Sequence, residues 1–91
     1  MVDDDAEQIL IRLGRRVAEL RAASGRTQEA LAEELDVSAA YLQRVEAGAE
    51  NLTVRSLVRL ARHLAVDVQA LFDPPASTGR RPGRPRRPAA P

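Results

Sequence analysis

The chain has no cysteine, no tryptophan and no lysine, and only one tyrosine and one phenylalanine in 91 residues. Without thiols there can be neither a disulfide framework nor a thiolate metal site. The single histidine, His63, has no clustered partners, so no metal site is expected and no cofactor is implied. No apolar run approaches the ~18 residues of a membrane helix, and no signal-peptide pattern opens the chain. The sequence therefore points away from membrane and secretion, and the cytoplasm is the expected compartment. No Ser/His/Asp set, phosphate-cradling glycine loop or paired-carboxylate pocket is evident, so the chain is not expected to be an enzyme. All 14 basic residues are arginine and 16 residues are alanine, the usage of a GC-rich coding sequence. Arginine content alone is thus no sign of nucleic-acid chemistry.

What the sequence does contain is an uneven distribution of charge. Residues 1–73 carry nine arginines against all 13 acids, a net of −4, while residues 74–91 carry five arginines and no acid, a net of +5. The overall +1 conceals this split. From Pro74 onward, Pro, Gly, Arg and Ala offer nothing to build a core, so the expected organisation is a folded domain over 1–73 and a disordered basic tail over 74–91. A core this small is marginal alone, and dimerisation would add to it.

The periodicity of residues 1–73 predicts five helices and no strands. Asp3, Asp4 or Asp5 can cap the first, whose stripe of Ile9, Leu13, Val17 and Leu20 runs to a stop at Ser24-Gly25. Leu10 and Ile11 lie off that stripe and suit either a dimer contact or a fold back onto the last helix. Thr27 caps the second helix, Gln28 to Leu35, with Leu31, Ala32 and Leu35 inward. Asp36 breaks the pattern at a position that calls for left-handed backbone. Ser38 caps a third helix that buries only Leu42 and Val45 and stops at Gly48. Thr53 caps the fourth, with Leu52 and Leu57 as a hydrophobic staple and Leu57, Leu60, Ala61 and Leu64 inward. Asp67 is placed to cap a short fifth helix carrying Val68, Leu71 and Phe72.

Two short helices joined by a tight corner, the second with too little apolar surface to be a core element, form the outline of a helix-turn-helix. The string Leu20-Arg21 … Ser24-Gly25-Arg26-Thr27-Gln28-Glu29 … Leu31-Ala32 … Leu35 … Val37-Ser38 … Tyr41-Leu42 … Val45-Glu46 … Gly48 resembles the Cro/phage-repressor (Xre) class of DNA-binding proteins. The resemblance continues through Asn51-Leu52-Thr53 and Ser56-Leu57 to Leu71-Phe72, covering about residues 12–73. Asp36 and Ala65 stand where that family often has glycine, which implies strained turns on the same fold. The size and the Glu50-Asn51-Leu52-Thr53 loop are also similar to controller proteins of restriction-modification systems.

The resemblance implies an all-α, lambda-repressor-like domain that binds double-stranded DNA as a homodimer, with helix 3 in the major groove and the start of helix 2 on a phosphate. Carried over residue by residue, Gln28 and the amides from Thr27 to Glu29 would hold a phosphate, and Ser38 and Tyr41 would touch backbone. Ala39, Ala40, Gln43 and Arg44 would face bases. Arg44 can contact guanine in bidentate fashion and Gln43 can do so for adenine, whereas the two alanines can only permit close approach or meet a thymine methyl. Tyr41 also fits a packing role against helix 2, and Arg44 that of a solvated helix residue. The family pairs the glutamate at position 46 with the helix 1 arginine, here Arg21, as a structural tie. Arg55 suits a phosphate or the minor groove, though the loop before it has no basic residue.

In the tail, Gly83-Arg84-Pro85 flanked by Arg80, Arg81, Arg86 and Arg87 resembles the core of an AT-hook, whose arginines fit the narrow minor groove of A·T tracts. A nonspecific electrostatic arm explains the same residues. The overall expectation is a transcription regulator associated with the nucleoid. The alternative is an antitoxin or other module that uses this fold to grip a protein partner through helices 1 and 5.

Overall fold

The four α-helices among the described residues all close through a residue in left-handed backbone: Gly25 at φ 80, Asp36 at φ 61, Gly48 at φ 79 and Ala65 at φ 61. The structure, a computed structural model, describes residues 3–76. Helix α1 spans Asp3–Ala23, α2 Gln28–Leu35, α3 Ala39–Glu46 and α4 Val54–Leu64, and a 3-10 helix follows at Val68–Phe72. At each α-helical end the chain makes the paired backbone bonds of a Schellman turn. Arg26 N–H donates to Arg21 O, Val37 to Ala32 O, Ala49 to Arg44 O and Val66 to Ala61 O.

The starts are equally local in origin. The hydroxyls of Thr27, Ser38 and Thr53 each accept, at 3.0 Å, the N–H of the residue three further on: Ala30, Tyr41 and Ser56. Each cap satisfies one of the donors a helix start leaves without an internal acceptor.

Two local expectations need correction. Helix α1 already begins at Asp3, so positions 3–5 lie inside its first turn rather than ahead of it as a cap. The fifth element is a five-residue 3-10 helix, and Asp67 makes no side-chain capping bond. The segment is too short for a run of i to i+4 bonds; it closes instead through Ala70 N–H to Asp67 O and Asp73 N–H to Ala70 O. Its position is fixed from outside, because Leu71 is fully buried and Arg16 Nε donates to Ala70 O at 2.8 Å.

The core gathers one stripe from every element: Leu13 and Val17 from α1, Leu31, Ala32 and Leu35 from α2, Leu42 and Val45 from α3, Leu57, Leu60, Ala61 and Leu64 from α4, and Leu71. Leu52 packs against this cluster one residue before the Thr53 cap. Helix α1 contacts α3, α4 and the 3-10 helix. Its crossing with α3 is close enough to exclude a side chain at Gly14, where a Cβ would lie 2.5 Å from Val45 O and 2.6 Å from Glu46 O.

The apolar residues off the α1 stripe are also placed. Leu10 and Ile11 line a surface cleft with Ala47, Gly48, Ala49, Glu50 and Asn51, and Ile11 meets Gly48 closely. It is Ile9 that lines a cleft with Leu71 and Phe72.

Candidate nucleic-acid interface

Helix α3 has eight residues and divides cleanly between two jobs. Leu42 and Val45 are buried, Ala39 and Tyr41 are half-buried against the core, and Ala40, Gln43 and Arg44 are exposed. A helix this short cannot hold its own geometry through internal bonds. Its orientation comes from its attachments, and the largest polar one sits at its C-terminal end.

There, Glu46 accepts from Arg21 on α1 through both carboxylate oxygens, Nε to Oε2 at 2.7 Å and Nη2 to Oε1 at 3.2 Å. Arg21 also donates from Nη1 to Arg26 O at 2.8 Å, tying in the turn that leads into α2. Gln28, the first residue of α2, donates its side-chain amide to Glu46 Oε1 at 2.8 Å. The Glu46 side chain is only 7% exposed, so this carboxylate is held by three donors from α1 and α2 at the base of α3. Bidentate guanidinium–carboxylate geometry fixes direction as well as distance. The carboxylate holds the Arg21 guanidinium in its charged form, raising its pKa against the opposing effect of burial.

At the corner between α2 and α3, Arg59 of α4 donates to Leu35 O, a carbonyl near the end of α2. Tyr41, Leu35, Val37, Ser56, Arg59 and Leu60 enclose a small space behind it, of about 30 Å³. The Tyr41 ring thus backs onto the α2 and α4 side of the corner. Ser38 and Thr27 spend their hydroxyl oxygens as helix caps. Arg44 Nε donates to Glu50 Oε2 at 2.8 Å, and its guanidinium carbon lies 5.9 Å from the Tyr41 ring centroid. Arg55 is exposed in the first turn of α4 and makes no hydrogen bond or ion pair among the described residues. Arg80, Arg81, Arg84, Arg86 and Arg87 lie outside the described residues.

Of the residues expected at DNA, Ala39 and Tyr41 are half-buried against the core and Arg55 is exposed on α4; the rest fall into three groups. Ala40, Gln43 and Arg44 share the open side of α3; Thr27 and Ser38 cap helix starts beside it; Gln28 faces Glu46 through its side chain, leaving the first amides of α2 as its outward polar groups. Glu50 and Gly14 were not singled out from sequence. A lone glycine inside an otherwise helical stripe signals close backbone approach, and that signal was present at Gly14. Glu50 is harder to read, because its link to Arg44 depends on the chain reversing at Gly48.

A family model described as a helix-turn-helix domain matches residues 12–73. The chain belongs to the helix-turn-helix family. The chain is also similar to several solved structures. The restriction-modification controller protein C.AhdI from Aeromonas hydrophila is 35% identical, with a TM-score of 0.66, over 69% of this chain and 96% of that one. The clp gene regulator ClgR from C. glutamicum is 28% identical, with a TM-score of 0.66, over 69% of this chain and 82% of that one. The S. venezulae BldD DNA-binding domain is 25% identical, with a TM-score of 0.66, over 72% of this chain and 99% of that one. No curated protein matches the sequence. Among the described residues of this helix-turn-helix chain no helix is long and apolar enough to cross a membrane, and no group of three or more His, Cys, Asp or Glu residues is placed to hold a metal ion.

Proposed function

We propose that the protein is a sequence-specific DNA-binding transcription regulator that occupies a partly palindromic operator as a homodimer, in the cytoplasm with the nucleoid. The observation that carries this reading is the division of labour on α3: its inner face is anchored by Leu42, Val45 and Glu46, while Ala40, Gln43 and Arg44 are left open and contribute nothing to the core. An exposed helix face held this firmly suits insertion into a major groove. The likeness to proteins named as a controller, a gene regulator and a DNA-binding domain supports it.

In this reading Arg44 contacts guanine, Gln43 contacts adenine, and Ala40, with the half-buried Ala39 beside it, permits close approach. The amides at the start of α2, near Thr27 and Gln28, hold a phosphate, helped by the positive end of the helix dipole. The amides at the start of α3, beside Ser38, meet the backbone with Tyr41, and Arg55 meets a phosphate from α4. Two half-sites would lie about one turn apart, ~34 Å. The five tail arginines add attraction, as an AT-hook-like clamp or a nonspecific arm.

A second reading, a module that grips a protein partner, draws on the cleft of about 220 Å³ lined by Ile9, Arg12, Leu13, Leu71, Phe72 and Asp73. Ile9 is 45% exposed and Phe72 53% exposed. Leu71 cannot serve as a probe of that surface, because it is part of the core; Phe72 can.

Selection of random duplex DNA, run with the full chain and with a chain ending at Asp73, tests the proposal. Enrichment of one inverted repeat by both supports the dimeric operator reading. Enrichment of A·T tracts alone, and only with the tail present, would refute it and favour the second reading.

A further inference from the structure

Arg44 is the only arginine of α3, and the chain returns to it twice after the helix ends. The Ala49 N–H donates to the Arg44 carbonyl at 2.8 Å, completing the turn at Gly48. The next residue, Glu50, then accepts from the Arg44 side chain through Nε, also at 2.8 Å. This loop has a firm seat on α1: a Cβ at Gly48 would stand 2.7 Å from the Ile11 Cα, so loop and helix touch backbone to backbone. On the other side the guanidinium lies near the face of Tyr41, whose ring is packed against the core. The side chain is thus restrained at Nε and near an aromatic face, while neither Nη group makes a hydrogen bond among the described residues.

We infer that Glu50 is a specificity-determining residue, which positions Arg44 for base contact and weakens its general attraction to phosphate. The inference rests on the reading of α3 as the DNA-facing helix. Bidentate recognition of guanine O6 and N7 needs two parallel N–H donors, and the Nη pair supplies them while Nε stays with Glu50. An arginine held in advance loses less side-chain entropy on binding. The carboxylate also acts on every sequence alike, because a negative charge beside the interface weakens the pull of Arg44 on any phosphate. A bidentate contact to a base edge is available only at the matching base pair. Both effects raise the ratio of specific to nonspecific binding, at some loss of absolute affinity.

The test compares the full-length wild type with Glu50→Gln, Arg44→Ala and the double variant. Three probes are used: a duplex enriched by the wild type from a random library, the same duplex changed at one base pair at a time, and an unrelated duplex of equal length. Glu50→Gln is expected to bind the unrelated duplex more tightly and to steepen the salt dependence by about one in log–log slope. Its preference for the enriched duplex should fall about two- to tenfold, concentrated at the base pair whose change no longer matters to Arg44→Ala. Thermal unfolding midpoints should stay together, which separates positioning from a structural role. An unchanged preference in Glu50→Gln overturns the inference, as does an equal loss when Arg44 is already alanine. If the wild type enriches no duplex at all, it is the DNA reading of α3 that fails, and the inference falls with it.

Discussion

Asp36 and Ala65 occupy left-handed backbone without being glycine, at φ 61 in each case. That conformation costs an L-residue roughly 1–2 kcal/mol, less for Asp, which tolerates it better than Ala. Ala65→Gly should therefore stabilise the domain by about 0.5–1 kcal/mol after the added chain entropy of glycine is subtracted, an upward shift of several degrees in the thermal midpoint. A fall in the midpoint would show that the strain is absent. At the same scale, Arg44→Ala should cost ~1–3 kcal/mol of binding to a selected duplex while leaving random DNA and the unfolding midpoint nearly untouched. Titrations against both duplexes measure it; equal losses on the two would remove Arg44 from base reading. Asp36 was legible from sequence because a helix stop is written locally, in the residue that breaks the apolar period. The Arg44–Glu50 contact was not, since it depends on where a turn delivers the chain six residues later.

Between elements, the decisive residues are those where backbone or charge meets across the fold. Helix propensity alone would make Gly14→Ala stabilising by about 1 kcal/mol. The crossing with α3 reverses the sign, because the added carbon meets the carbonyls of Val45 and Glu46 rather than a movable side chain. A loss of about 1–3 kcal/mol is expected on chemical denaturation, the range for overpacking. Glu46→Gln should be costlier still for its size, about 2–4 kcal/mol, because it leaves the Arg21 guanidinium without a counter-charge in a site with little water. Unfolding curves that superimpose on wild type would mean the three donors do not orient α3. The helices and their inward stripes were readable because i, i+3, i+4 spacing is periodic. The seating of Leu10 and Ile11 was not readable: two residues off the stripe carry no mark of which loop they will meet. Nor does periodicity distinguish a short α-helix from the 3-10 turn at Val68–Phe72, which is set by length and by the grip of Arg16.

For the molecule as a whole, charge sets the expected behaviour more than shape does. A domain of net −4 joined to a tail of net +5 places the long-range attraction in residues 74–91. A chain ending at Asp73 should bind DNA more weakly at low salt, with a log–log salt slope shallower by up to about 4.5, from the loss of five arginines at ~0.9 per neutralised phosphate. Filter binding from low to moderate salt gives the slope, and coincident lines for the two lengths would exclude a tail contribution. The anchors of α3, Leu42, Val45 and Glu46, share no residue with its open positions, Ala40, Gln43 and Arg44. Three positions can therefore be randomised while every bond that orients the helix is retained, so the scaffold is suited to reprogramming: new sequence preferences should be selectable on this domain without a compensating repair of its stability.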